Sequence, residues 1–167
     1  MADSEDTLVI TMEAGEIEIE LLPDVAPKHV ERIKALVAEQ AYDDVVFHRV
    51  IDGFMAQTGD VEHGKKGGNL GRAGTGGSKL PDVPAEFSKV PFERGTVGMA
   101  RAQNPNSANS QFFIMFKEGA FLNGQYTVFG QVTKGMDVVD GIKRGAGSSG
   151  SVTDPDHMIT VRLKGAA

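Results

Sequence analysis

Short apolar runs separated by clusters of glycine and proline dominate this sequence, and they limit the folds that it can adopt. The chain has 167 residues, of which 21 are glycine. Residues 16–22 alternate polar and apolar side chains, which is the period of a half-buried strand, and residues 7–12 supply a partner strand for a hairpin. The pattern therefore predicts many short strands joined by tight connections.

Eight segments fit strands and two fit helices. The predicted strands are residues 7–12, 16–22, 45–51, 54–58, 96–101, 111–116, 127–132 and 157–163. The predicted helices span residues 26–40, with Pro27 suited to the first turn, and residues 135–144, with Gly145 as the stop. Because closure removes exposed sheet edges, we expect a mainly β fold: a closed eight-stranded antiparallel β-barrel capped by two α-helices.

Length and composition predict one globular domain over residues 7–167, preceded by a disordered tail at residues 1–6. Hydrophobic residues make up 40% and charged residues 24% of the chain, which is typical of globular proteins. The first six residues are acidic and polar rather than a secretory signal, and no apolar run reaches the ~18 residues that a bilayer span needs. We therefore expect a cytoplasmic monomer that does not associate with membranes.

Several chemistries lack the residues that they need. The absence of cysteine excludes thiol nucleophiles, zinc–thiolate sites and disulfides. The formal net charge of −6 and the scattered basic residues argue against binding to nucleic acid. The four histidines form no cluster with metal-ligand spacing, and we interpret His48 as a hydrogen-bonded core residue. We expect no metal and no cofactor.

Two glycine-rich motifs resemble nucleotide-binding loops without their structural context. Residues 145–150 read G-x-G-x-x-G, but they follow a predicted helix and precede a strand, so we interpret them as a flexible turn. Residues 59–65 read G-x-x-x-x-G-K, but the next residue is Lys66 instead of the serine or threonine that would hold magnesium. Neither motif predicts a phosphate site.

One constellation of residues indicates a binding site. Arg49 lies at the centre of an otherwise apolar strand, where it either pairs with an acidic residue or serves a site. Met55 and Gln57 share one face of the next strand, and Gln111 and Phe113 share one face of a third. If the three strands are neighbours, this surface combines apolar groups with a few aimed donors, as small binding sites do. Plain core packing explains Met55 and Phe113 equally well.

Longer strings around these residues resemble the cyclophilin-type peptidyl-prolyl cis–trans isomerases. The matching strings are FHRVIDGFMAQTGD at residues 47–60, GTVGMAR at 95–101, NSQFFI at 109–114, FLNG at 121–124 and VFG at 128–130. The resemblance extends from about residue 7 to residue 163. It implies a cyclophilin-like barrel with two helices, and an enzyme that catalyses rotation about X–Pro peptide bonds and assists protein folding without a cofactor.

The same resemblance implies a role for each matching position. Arg49 and Gln57 match the catalytic positions; Phe54, Met55, Phe113 and Leu122 match the proline pocket; Ala100, Arg101, Gln111, Phe121 and Tyr126 match the peptide-binding positions. Three positions depart from common family patterns: the family often has Asn at 101, Trp at 121 in its most cyclosporin-sensitive members, and His at 126. The departures at 121 and 126 resemble those of bacterial members. Phe121 lacks the indole N–H of tryptophan, which implies weak cyclosporin binding. The role of the glycine-rich loop, residues 59–79, stays open.

The implied partners are proline-containing peptides and unfolded or partly folded protein clients. Two other functions fit a fold of this kind. One is a binding module that docks proline-containing segments with negligible turnover, although the combination of Arg49, Gln57 and Phe113 favours the enzyme. The other is a barrel that stores an apolar ligand in its interior, which a filled core would exclude.

Overall fold

The computed structural model describes residues 6–147 and 149–164 of the chain, and in these residues it has ten strands and two α-helices. The elements are β1 (Thr7–Met12), β2 (Gly15–Leu21), α1 (Pro27–Ala38), β3 (Val45–Val46), β4 (Arg49–Ile51), β5 (Met55–Thr58), β6 (Thr96–Met99), β7 (Phe112–Met115), β8 (Val128–Lys134), α2 (Met136–Asp140), β9 (His157–Met158) and β10 (Thr160–Leu163). The predicted tail lies outside the described residues except for Asp6, which accepts a hydrogen bond from Lys34 at 2.6 Å. No described helix is long and apolar enough to span a membrane.

Eight strands form one curled antiparallel sheet in the order β10-β1-β2-β8-β6-β7-β5-β4. The sheet is a half-barrel, so the predicted closed barrel is wrong. The end strands β4 and β10 do not pair; instead β3 pairs with β9 in a separate two-stranded ladder. A loop occupies the free edge of β4, where the Val50 N–H donates to Gly150 O and the Gly145 N–H donates to Val50 O, both at 2.8 Å.

The same interruption divides two predicted strands. Residues 45–51 form β3 and β4 with Phe47 and His48 between them, and residues 157–163 form β9 and β10 with Ile159 between them. The Ile159 N–H donates to Thr11 O of β1 at 2.8 Å. As a result, β3 pairs with β9, whereas β4 pairs with β5 and β10 pairs with β1. The hydrophobic pattern is continuous across both breaks, which is why the sequence predicts eight strands where ten are found.

A filled core lies between the concave face of the sheet and α1. β2 alternates as predicted, and β1 and β2 bury Ile10, Ile17 and Ile19 completely. Ile33 of α1 is also completely buried, and Phe112 of β7 packs its ring against Tyr42 and Phe129 in edge-to-face contacts. These side chains occupy the interior, which argues against the alternative of a barrel that stores an apolar ligand.

Helix α1 has Pro27 in its first turn as predicted, although it begins one residue later than expected, and its cap comes from a distant loop. Ala26 supplies no side-chain cap. The Glu86 carboxylate instead accepts the backbone N–H of His29 at 2.9 Å and of Lys28 at 3.2 Å, and it contacts the buried His29 ring at 2.6 Å. Helix α2 is shorter than the predicted residues 135–144.

A second apolar cluster covers the convex face of β5, β6 and β7. Its buried members are Met55, Phe92, Phe113, Met115, Leu122 and Val128, with Phe54, Ala100 and Tyr126 among the residues packed against them. This cluster is separate from the main core and reaches the surface.

Candidate active site

Strand register aligns three of the predicted site residues in one row. Arg49 of β4 pairs directly with Gln57 of β5, and Gln57 pairs directly with Phe113 of β7. Residues directly opposite each other on neighbouring strands project from the same face of the sheet. The three strands are therefore neighbours, as the sequence-based hypothesis required, and the row crosses the convex face.

An open cavity of about 320 Å³ lies over this row. It is lined by Arg49, Phe54, Met55, Gln57, Ala100, Arg101, Phe113, Phe121, Leu122 and Tyr126. These are ten of the eleven residues predicted for the site. The eleventh, Gln111, lines an adjoining cavity of about 390 Å³, which shares Gln57, Ala100 and Arg101 with the first.

Arg49 is held by neutral acceptors at the edge of the first cavity. Its Nε–H donates to Ser149 O at 3.0 Å, and its Nη1 group donates to Gln57 Oε1 at 3.0 Å. The arginines that form ion pairs within the described part of the chain are Arg94, Arg144 and Arg162. The interpretation of Arg49 as a structural ion pair is therefore wrong.

Two amide side chains continue from Arg49 towards the glycine-rich loop. Gln57 Nε2 donates to Gln111 Oε1 at 3.0 Å. Gln111 Nε2 in turn donates to Gly74 O at 3.0 Å and to Gly76 O at 2.9 Å. Each amide accepts with its oxygen and donates with its nitrogen, so the series has one consistent direction.

Aromatic and aliphatic side chains form the walls of the first cavity. Met55, Phe113 and Leu122 line it although each is at least nine-tenths buried. Phe121 is 72% exposed, and its ring lies 5.5 Å from the ring of Phe54 at the rim. The walls thus combine rigid packed groups below with an exposed aromatic ring above.

Phe92 supports this pocket from below, and the sequence analysis did not identify it. Its ring stacks on Phe113 at 5.7 Å. A Cβ atom at Gly98 would lie 2.6 Å from Phe92 and 2.7 Å from Phe113, so glycine allows the two rings to approach the strand. The only sequence signal for this support is the glycine within a predicted strand.

Arg101 fixes the boundary between the two cavities. Its guanidinium lies 4.5 Å from the centre of the Tyr126 ring, in a cation–π contact, and its Nη2 group donates to Gln125 O at 2.7 Å. Arg101 lines both cavities, so the two departures from common family patterns at positions 101 and 126 contact each other.

His48 directly precedes Arg49 in the chain and is neutral at pH 7. Burial lowers the pKa of His48 to about 4. Its Nδ1 atom is buried and has no hydrogen-bond partner among the described residues, so the interpretation of a hydrogen-bonded core histidine is wrong for that nitrogen. Within the described ranges, no group of three histidine or acidic side chains could hold a metal ion.

Asp60 is completely buried beside the site and accepts four backbone hydrogen bonds. Burial alone would raise the pKa of Asp60, but the N–H groups of His63, Gly76, Gly74 and Glu62 together hold it below its usual value. Asp60 and Ser149 were not predicted as site residues. Ser149 lies in the G-x-G-x-x-G motif, whose described residues pair with β4 instead of forming a free turn.

Comparisons with known proteins match nearly the whole chain to one family. The family described as "Cyclophilin type peptidyl-prolyl cis-trans isomerase/CLD" matches residues 7–163. A probable peptidyl-prolyl cis-trans isomerase from Brucella suis is 61% identical over 166 residues, which cover 98% of this chain and 85% of the relative. A peptidyl-prolyl cis-trans isomerase from Streptomyces antibioticus is 37% identical over 155 residues and 82% of each chain.

Two solved structures share the fold. A cyclophilin from Hirschia baltica superposes with a TM-score of 0.82 at 26% identity, over 97% of this chain and 75% of that chain. A cyclophilin-type peptidyl-prolyl cis-trans isomerase from Cryptosporidium parvum, crystallised in the presence of the dipeptide Ala-Pro, has a TM-score of 0.79 at 26% identity, over 94% of this chain and 98% of that chain.

Proposed function

The chain belongs to the cyclophilin-type peptidyl-prolyl cis–trans isomerases, and on this premise we propose that Arg49 stabilises the twisted prolyl amide while the adjacent apolar cavity holds the proline ring. The reaction that this family catalyses makes and breaks no covalent bond. Rotation disrupts amide resonance, which imposes a barrier of ~18–20 kcal/mol. The two X–Pro isomers differ by only ~0.5–1 kcal/mol, so both are populated and exchange over tens of seconds without a catalyst.

The chemistry of the twisted state explains why an arginine suits the task. As resonance is lost, the prolyl nitrogen regains its lone pair and becomes a better hydrogen-bond acceptor. A guanidinium stays charged and donates from a rigid, planar group. Its interaction with that nitrogen is stronger in the twisted state than in either planar isomer, which is the condition for catalysis.

One observation supports this assignment above the others: Arg49 borders the apolar cavity without a carboxylate partner in the described chain. Its hydrogen bonds to Ser149 O and Gln57 fix the direction of the guanidinium. The Nη2 group makes no hydrogen bond to a described residue and is available to a ligand. Gln57 serves as the second catalytic residue by orienting Arg49 and the substrate carbonyl.

The apolar walls suit a pyrrolidine ring, which has no N–H to donate. We assign Phe54, Met55, Phe113 and Leu122 to the proline pocket because all four line the cavity beside Arg49. Ala100, Arg101, Phe121 and Tyr126 at its margin, with Gln111 next to it, are positioned to contact the peptide on either side of proline. The Cryptosporidium parvum structure obtained with Ala-Pro supports proline-containing peptides as ligands.

Clients, location and oligomeric state are part of the same proposal. The substrates are proline-containing segments of unfolded or partly folded proteins, and the chain acts as a single domain over residues 7–167 and as a monomer in the bacterial cytoplasm. An open cavity on the convex face supports access by extended segments.

Substitution of Arg49 tests the assignment. In a protease-coupled assay with a prolyl peptide, we expect Arg49→Ala to lower kcat/KM by about 10²–10³-fold, by analogy with the removal of one preorganised donor. Arg162→Ala is the matched control, since Arg162 pairs with Asp43 away from both cavities and its loss leaves kcat/KM unchanged. Near-normal turnover of a folded Arg49→Ala protein would refute the catalytic role.

A further inference from the structure

The glycine-rich loop carries a buried acid whose two oxygens serve different parts of the chain. Oδ1 of Asp60 accepts the N–H groups of Glu62 at 3.0 Å and His63 at 2.8 Å, which closes a local turn. Oδ2 accepts the N–H groups of Gly74 at 2.7 Å and Gly76 at 2.9 Å, which lie 14 and 16 residues away. The second pair ties the far side of the loop to the end of β5.

The residues that Asp60 holds are the residues that hold Gln111. Gly74 and Gly76 donate their N–H groups to Asp60 and accept Gln111 Nε2 with their carbonyl oxygens. Gln111 then accepts Gln57 Nε2, and Gln57 accepts Arg49 Nη1. One continuous series of hydrogen bonds therefore leads from a buried carboxylate to the guanidinium at the cavity.

The glycines are required by the closeness of these contacts. Gly74 has a φ of +100°, which side chains rarely permit, and a Cβ atom there would lie 3.1 Å from Nε2 of His48. A Cβ atom at Gly76 would lie 2.6 Å from Oδ1 of Asp60 and 2.7 Å from Cβ of Glu62. A larger residue at Gly76 would therefore displace Asp60 or Glu62, and one at Gly74 would strain the backbone and press on the His48 ring.

We propose that Asp60 is a positioning residue for Arg49, which acts by holding the carbonyls of Gly74 and Gly76 where they orient the amides of Gln111 and Gln57. This inference rests on the proposed role of Arg49 in catalysis. It assigns a function to the glycine-rich loop: the loop supplies fixed acceptors to the catalytic arginine's support. Charged-group hydrogen bonds are stronger than neutral ones, so an ionised Asp60 is a firm anchor.

The test separates positioning from a general structural role by measuring binding and turnover independently. Asp60→Asn keeps the side-chain shape but removes the charge and replaces one acceptor oxygen with a donor, so one of the two pairs of hydrogen bonds is lost and the other is weakened. We expect kcat to fall by about 10–100-fold, by analogy with the loss seen when groups that orient the ligands of a metal site are removed. The Kd for a prolyl peptide, measured by NMR titration, should change by less than about twofold.

A double-mutant cycle with Gln111 adds the decisive readout. Gln111→Met removes the amide that links the loop to Gln57, and we expect this single substitution to lower kcat. Once this link is cut, Asp60→Asn should cause no further loss, because both changes break the same series. Multiplicative losses in the double variant, an unchanged kcat, or a Kd weakened as much as kcat would each overturn the proposal.

Two further variants keep the test decisive. Asp43→Asn removes a partly buried carboxylate that is also hydrogen-bonded but lines neither cavity, and it should leave kcat unchanged. If Asp60→Asn does not fold, Gly76→Ala replaces it in the cycle and should show the same dependence on Gln111. Full activity of Arg49→Ala refutes the proposed function itself, whereas a large loss there with normal kcat in both loop variants refutes only the role of Asp60.

Discussion

Arg49 differs from Arg94 and Arg162 in the kind of acceptor that it uses. Arg94 and Arg162 bind carboxylates, which offset their charge, whereas Arg49 binds a backbone carbonyl and an amide oxygen. Neutral acceptors fix a guanidinium in direction without cancelling its field. This choice of partners leaves the charge of Arg49 available to a group that enters the cavity.

Phe121 sets a prediction about inhibitor binding. Its exposed ring lacks the indole N–H that tryptophan would offer at this position, and we propose that cyclosporin binds weakly for this reason. We expect Phe121→Trp to tighten the inhibition constant by about tenfold, the value of one hydrogen bond of ~1.4 kcal/mol. Inhibition of the isomerase assay measures it, with Phe87→Trp, another exposed phenylalanine, as control. Nanomolar inhibition of the unmodified protein would contradict the proposal.

The second prediction at this scale concerns His48 and acid. Since burial lowers its pKa from 6.5 to about 4, the unfolded chain binds more protons than the folded one between these values. Stability should therefore fall as pH decreases from about 6.5 to 4, before aspartates with lowered pKa values begin to titrate. The His29 pKa is lowered in the same direction, mainly by burial.

Urea unfolding at pH 7 and pH 5 measures this effect. We expect His48→Gln to lose less free energy of unfolding between the two pH values than the unmodified protein does. His63→Gln is the control, because it removes a histidine whose side chain is partly exposed. An identical pH dependence in all three proteins would show that His48 titrates as it does in the unfolded chain.

At the level of elements, helix α1 depends on a residue that is distant in sequence. Glu86 closes the first turn of α1 and contacts the buried ring of His29. We expect Glu86→Ala to lower the free energy of unfolding by about 1–2 kcal/mol at pH 7, as loss of a helix cap does, with little change in kcat. Glu31→Ala, on the exposed face of the same helix, should change it by less than about 0.5 kcal/mol.

The contribution of Glu86 has a defined pH range. Its pKa is lowered from 4.5 because the hydrogen bonds from His29 and Lys28 outweigh burial, which would raise it. The stabilisation is present above the unfolded value and is lost as pH falls below about 4.5. The free energies of unfolding of Glu86→Ala and of the unmodified protein should therefore converge at low pH. A constant difference down to pH 3 would contradict the role of Glu86 as a cap.

The local hydrophobic pattern of the sequence correctly predicted those features of the elements that depend on neighbouring residues. The hairpin of β1 and β2 and the parity of Gln57 follow from periodicity and were predicted, and the residue type of Pro27 correctly placed it in the first turn of α1. The open sheet was not predicted, because closure depends on which segment of the chain pairs with the edge of β4. A loop some 95 residues later in the sequence does so. The conformation of the glycine-rich loop could not be predicted either, because it depends on long-range hydrogen bonds to Asp60.

For the whole molecule, the residues alone suggested a site but did not separate it from core. Met55 and Phe113 satisfy both interpretations, because they are almost fully buried in a cluster that also lines the cavity. The family resemblance supplied the remaining positions, and the fold gathered ten of the eleven around one cavity. Supporting residues such as Phe92 and Ser149 leave no composition or period to detect, so only the assembled fold reveals them.

The most direct measurement of the central idea is exchange NMR on a prolyl peptide bound to the enzyme, because it reports the on-enzyme isomerisation rate and Kd separately. If Arg49 acts on the twisted state, Arg49→Ala will slow the bound peptide's exchange by about 10²–10³-fold while Kd changes by less than about threefold. A Kd weakened by the same factor as the rate, or an exchange rate equal to that of the unmodified protein, would contradict it.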